Sequence, residues 1–161
     1  MEFEIGDRAV YPAHGVGTVS RIVEEPEMEG LEAPYYVIQL DNGTTIYVPL
    51  ANAEAVGMRT VVGEDHVARV YEVLAERDVP ADNQTWNRRY REYMNRIKTG
   101  DPLEVAKVLR DLALLRTDKT LSFGERKMFD QARTLLAQEL AVAKGVDEET
   151  IGAEIDKIFK S

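Results

Sequence analysis

Apolar residues recur along this chain at two spacings, and the changeover falls near residue 63. Before it the period is two. Ala9-Val10-Tyr11 reads as a short strand stopped by Pro12, and the stretch 15–23 alternates apolar with small or polar residues, as a half-buried strand does. Tyr35 to Leu40 is aromatic and β-branched, Asp41-Asn42-Gly43 supplies a tight turn, and 44–49 returns as the partner strand. Pro49 lacks an N–H and so suits an edge or a strand end. Short strands broken every ten residues or so predict a small curled antiparallel sheet or barrel.

Beyond Gly63 the period becomes helical. Val67, Val70, Tyr71 and Leu74 share one face of a helix closed by Asp78-Val79-Pro80. The loop Ala81-Asp82-Asn83-Gln84 leads to Thr85, an N-cap candidate for a helix carrying Trp86, Tyr90, Tyr93, Met94 and Ile97 and ending at Thr99-Gly100. Asp101 caps the next helix, with Pro102 as its first residue. Ser122 followed three residues later by Glu125 is a capping box, opening a long helix that Gly145 ends. Asp147-Glu148-Glu149 starts a last amphipathic helix through Ile151, Ile155, Ile158 and Phe159. The fold class is therefore α+β: a small antiparallel β-domain over 1–63, then a compact all-helical domain of about five helices over 64–161.

Charge sharpens this division. The chain is acidic, net −9, yet residues 1–63 hold three cations against ten anions, −7, and the remainder 17 cations against 19 anions, −2. Phosphates would be repelled by the first domain, whereas the second can attract them locally. Its densest run is 86–98, where Arg88, Arg89, Arg91, Arg96 and Lys98 face only Glu92, a local +4, and the run opens with the only tryptophan. A positive patch beside an indole suits nucleic acid. No cysteine, no signal-peptide pattern and no apolar run of about 20 residues point to a cytoplasmic protein without disulfides, and away from a membrane.

Enzymatic chemistry is poorly supplied. His14 and His66 are the only histidines, so metal constellations and a Cys–His pair are starved, and no cofactor or metal is expected. His14-Gly15-Val16-Gly17 lacks the third glycine and following helix of a phosphate loop and reads as a turn. His66, in a helix's first turn, reads as solvated. Ser20 and Ser122 lack a nucleophile elbow.

Within 85–98, Tyr90, Tyr93 and Ile97 read as core, while position alone leaves Trp86 open between core and surface. Arg88 and Arg91 lie one turn apart, away from the apolar stripe, with Arg89 beside them. A second cluster, Lys119 to Lys127, places Arg126 and Lys127 at a helix start whose free N–H groups favour phosphate. Phe123 there reads in isolation as a staple on its own helix, the other reading being an exposed apolar group.

Taken together, these segments resemble the CarD/CdnL family of bacterial RNA-polymerase-binding transcription regulators. The carriers are Gly6-Asp7, Val10-Tyr11-Pro12, His14-Gly15-Val16-Gly17, Val48-Pro49, Val56-Gly57-Met58-Arg59, Trp86-Asn87-Arg88-Arg89-Tyr90, Val108 to Leu112 and Leu121 to Met128. The likeness is to the compact CdnL type. It implies a Tudor-like N-terminal domain docking on the polymerase β subunit, in the region of Met28, Val37, Tyr47 and Pro49. It also implies a helical domain lying on promoter DNA at the upstream edge of the −10 element. There the family's tryptophan, matched by Trp86, wedges into the minor groove and hinders bubble collapse. Arg88 and Arg89 match adjacent basic positions, and Met94, Phe123 and Lys127 match the DNA-facing surface; Arg91 and Arg126 join them from the charge pattern. Some members carry arginines on the docking strands, where this chain has Tyr47 at one place and Glu24-Glu25-Pro26 around the other. A monomer is expected, with partners in polymerase and promoter DNA.

Overall fold

The structure is a computed structural model that describes residues 3–27, 29–78 and 85–160. The chain forms two units, Met1–Val61 and Val62–Ser161.

In the first unit, four strands run as an antiparallel meander: β1 (Arg8–Tyr11), β2 (Gly15–Val23), β3 (Tyr35–Leu40) and β4 (Thr45–Pro49), paired in chain order. Gly43 takes φ +95° in the β3–β4 turn, where its N–H meets the Leu40 carbonyl at 3.0 Å and the Asn42 side chain accepts from Thr44 N at 2.9 Å. Phe3, Ala9, Val19, Tyr36, Ile38, Leu40, Val48, Ala53 and Met58 form the core on one face of the sheet. The Tyr36 hydroxyl, buried there, accepts from the Phe3 N–H at 3.1 Å. Strict alternation through β2 does not hold. The register slips between Val19 and Arg21, so Arg21 stands opposite Val37 while Ile22 pairs with the inward Tyr36. This bulge turns Arg21 and Val23 to the outer face, where Val23, Tyr35 and Val37 pack with Leu31 and Ala33. Pro49 ends the edge strand and leads into a short helix, α1 (Leu50–Ala53), which periodicity had not marked.

The second unit holds α2 (Glu64–Ala75), α3 (Trp86–Lys98), α4 (Pro102–Asp118), α5 (Phe123–Lys144) and α6 (Glu148–Lys160). Helix α4 is central. Val105, Ala106, Val108, Leu109, Leu112 and Ala113 are all buried along it, an apolar surface too wide for one solvent-facing stripe. Asp101 accepts from Leu103 N at 2.9 Å with Pro102 inside the first turn. Ser122 and Glu125 close a reciprocal capping box on α5, and Gly145 ends it in the left-handed conformation at φ +69°. Asp147, exposed ahead of α6, accepts from both the Thr150 amide and hydroxyl, which hold its carboxyl below the usual range.

Buried charge in this unit is paired. Arg110, on the otherwise apolar α4, meets Asp111 at 3.0 Å and Glu76 just past α2. The Tyr71 hydroxyl donates to Glu154 of α6, with Lys144 3.1 Å from the same carboxylate. Burial, then the Glu154 hydrogen bond and charge, push the Tyr71 hydroxyl well above its ordinary value.

Candidate nucleic-acid interface

Helix α3 enters the core only with its second half. Tyr93 and Ile97 are buried, but Tyr90 is 47% exposed, correcting the expectation that it packs inside. The reason lies one turn earlier. Trp86, the first residue of α3, lies partly buried against the start of α5, and the Tyr90 ring meets the indole from outside, 5.8 Å between centroids in an edge-to-face arrangement. Thr85 holds the extended N-cap geometry, though its side chain makes no capping hydrogen bond.

The floor under the indole is Gly124. A Cβ on that residue would stand 3.3 Å from Trp86 Cζ2 and 3.4 Å from Nε1, so the ring rests on glycine backbone. Over the ring stands Arg89, its guanidinium carbon 5.3 Å from the centroid. Its Nη2 donates at 3.3 Å to Glu125 Oε2, and the pair is shielded, with side chains 12% and 2% exposed. Lys119 approaches the other Glu125 oxygen at 3.1 Å, and Ser122 N donates to it at 2.8 Å. Burial alone would raise the Glu125 carboxyl; the Ser122 and Lys119 hydrogen bonds and the lysine's charge outweigh it and hold the pKa down at about 2.

Arg88 and Arg89 therefore part company. Arg88, Arg91, Arg126 and Lys127 are exposed, and no ion pair joins any of them to another described residue. Arg89 is paired with Glu125, which it shares with Lys119, and Arg96 lies 3.8 Å from Glu104. The +4 run read from the sequence thus offers fewer free charges to a ligand than its residue count, while Arg126 and Lys127 join it from α5. Met94 is half-buried on α3. Phe123 is not a staple: it is 82% exposed, the barest large apolar side chain among the described residues, and the position before the cap is filled by buried Leu121 instead. Arg116, which the sequence reading passed over, stacks on Phe129 at 4.7 Å and lines an open groove with Lys119 and Arg126. Only the return from α4 to α5 brings it there, so no local pattern could have flagged it.

On the outer sheet face, Tyr47 is 44% exposed and pairs across strands with Val37; Pro49 pairs with Tyr35 and is half-buried. Val37 itself is covered, packed among Val23, Tyr35, Leu31 and Ala33. Arg21, exposed opposite Val37, forms a 2.6 Å ion pair with Glu27, so a cation does stand on this face, brought there by the bulge. Met28 lies outside the described residues, as does the 81–84 loop.

The histidines assemble no reactive group. His14 is exposed in the β1–β2 turn, its ring 5.2 Å from Tyr11. His66 is less solvated than its position implied: Nε2 is shut from solvent 3.4 Å from Asp101 Oδ1, without hydrogen-bond alignment, because the first turn of α2 abuts the cap of α4. Gly17 of the glycine pair serves the sheet, as Ile38 and the Gln39 carbonyl crowd its α-carbon. Among the described residues no cluster of three potential metal ligands occurs, and no helix is long and apolar enough to cross a membrane.

Comparison with known proteins places both units. Residues 3–62 match the model of the CarD-like/TRCF RID domain, and residues 69–156 match the CarD C-terminal domain. The chain is 34% identical over 154 residues to a protein of Bacillus subtilis (strain 168) named "Putative transcription factor YdeB", covering 92% of this chain and 97% of that one. The sheet is the Tudor-like element of such an RID domain. With both halves matched in order and a relative aligned almost end to end, the chain belongs to the CarD family of transcription factors.

Proposed function

We propose that this protein docks on the RNA polymerase β subunit through the outer face of β3 and β4 and stabilises the promoter open complex with Trp86. Tyr47 and Pro49 present that docking face and Val37 supports it from beneath; Met28, outside the described residues, is assigned to the same contact from the family resemblance alone. In the helical unit, Arg88, Arg91, Arg126 and Lys127 hold phosphates, while Met94 and Phe123 add apolar contact beside the wedge. Arg89 acts on the tryptophan. The indole enters the minor groove at the upstream edge of the bubble near the −10 element, where parting bases leave a gap.

The observation that carries this reading is the placement of Trp86. The ring sits at the margin of the helical unit, outside its core, beside a bare Phe123 and four exposed cations. A wedge favours only the state in which bases are already unstacking, so it shifts melting without altering bound-state contacts elsewhere. The cations line α3 and α5 without side chains arranged to read base edges, and sequence selection stays with polymerase. Open-complex lifetimes test the reading directly. Stacking on a base is worth roughly 1–3 kcal/mol, so Trp86→Ala shortens the lifetime about tenfold; equal lifetimes would remove the wedge.

A further inference from the structure

We propose that Arg89, anchored by the buried Glu125 carboxylate, and Gly124 form a seat that fixes the orientation of the Trp86 indole before DNA arrives. The proposal rests on reading Trp86 as the wedge, and it assigns Arg89 and Glu125 as positioning residues.

Three contacts define the seat. Gly124 is the floor, since a Cβ there would press on the ring at 3.3 Å. Tyr90 bounds one side edge-on. Arg89 covers the ring from a point 5.3 Å above its centroid. The guanidinium is not free to choose that position, because the carboxylate it meets is itself held by the α5 capping box and by Lys119. A chain of contacts thus runs from Ser122 through Glu125 and Arg89 to the indole, tying α3 to α5 across 36 residues of sequence. A shielded arginine contributes little to phosphate binding. What its burial provides is a planar cation over an aromatic face, an interaction that strengthens as water is excluded. A ring already held in one rotamer loses less freedom on insertion, an advantage of about threefold to tenfold in affinity for the open state.

The single tryptophan makes the test specific, because the indole band of near-UV circular dichroism and acrylamide quenching of fluorescence both report Trp86 alone. Three variants of the full chain probe the seat. Arg89→Met removes the cation, Glu125→Gln removes its anchor while leaving a side chain able to complete the capping box, and Gly124→Ala intrudes on the floor. Each is expected to diminish the indole band, with far-UV dichroism unchanged, to raise the quenching constant about twofold, and to shorten open-complex lifetime about threefold to tenfold. Ser122→Ala, which loosens the cap without removing either charge, lowers thermal stability and keeps most of the indole band.

An unaltered band and quenching constant in folded Arg89→Met and Gly124→Ala would overturn the seat. So would a Ser122→Ala loss as large as that of Arg89→Met, which would mark a merely structural role. Wild-type lifetimes in variants whose ring has loosened would overturn the positioning role, provided Trp86→Ala shortens them. If Trp86→Ala leaves lifetimes unchanged as well, it is the wedge reading that fails, and the spectra still decide the seat.

Discussion

A Cβ on Gly17 would stand 2.7 Å from Ile38 Cγ2 and 2.8 Å from the Gln39 carbonyl oxygen, closer than folded proteins allow. Backbone cannot swing aside as a side chain can, so β2 and β3 would have to part. Gly17→Ala is expected to cost about 1–3 kcal/mol, visible as a lower melting temperature of the sheet unit. Tyr47 presents the opposite case. It is exposed, stands opposite covered Val37 and meets the Tyr35 ring edge-on at 6.1 Å, so Tyr47→Asp should still fold, yet on the proposed docking it should bind polymerase about tenfold or more weakly. Undiminished binding in a pull-down titration would move the docking face elsewhere. The neighbours Arg88 and Arg89 show what single positions leave unsaid. Both are arginines in one basic run, but the acid that claims Arg89 lies 36 residues away, and nothing local marks which of the two it takes.

At the scale of elements, α5 is the part whose start and stop were plainest in the chain. The Ser122–Glu125 spacing and Gly145 each encode backbone geometry locally, and both appear as read. Where geometry depends on a partner strand or helix, the pattern misled: the β2 bulge, α1 and the outward Tyr90 all answer to tertiary neighbours. The cap also carries a pH signature. The folded pKa of Glu125, about 2, lies below the ordinary 4.5, so the unfolded chain takes up the proton first. Its contribution is complete above about pH 4.5 and vanishes as pH falls toward 2, a change of about 3 kcal/mol. Denaturant unfolding followed by Trp86 fluorescence across that window should show the loss, and Glu125→Gln should flatten it. Ser122→Ala should cost about 1 kcal/mol in the same assay at neutral pH.

For the whole molecule, charge is uneven, −7 over residues 1–63 and −2 over the remainder. On the proposed reading, a net −9 chain with Arg88, Arg91, Arg126 and Lys127 on its DNA-facing side would bind DNA weakly alone, and tethering through polymerase would raise the local concentration. In the ternary complex, the share of the salt dependence due to this protein should have a slope of roughly −4 in log–log form, and Arg88→Ala should reduce it by about 1. A salt-independent contribution would mean that these cations do not meet phosphate. The two-part architecture and its charge contrast were legible because composition and periodicity are sums over many residues. The candidate site could be read only as a neighbourhood in sequence, Trp86 with its arginines and Phe123, and not as a set of contacts.

Glu125 carries three obligations at once: it completes a cap, faces Lys119 and restrains Arg89. Among kindred proteins, positions 89 and 125 should consequently covary. An isolated change at either would leave its shielded partner short of one charged contact, a cost of about 1–3 kcal/mol that a folded chain bears but selection notices. Lineages that retain the tryptophan should keep the arginine and the glutamate as a couple, and those that abandon one should have dispensed with the other.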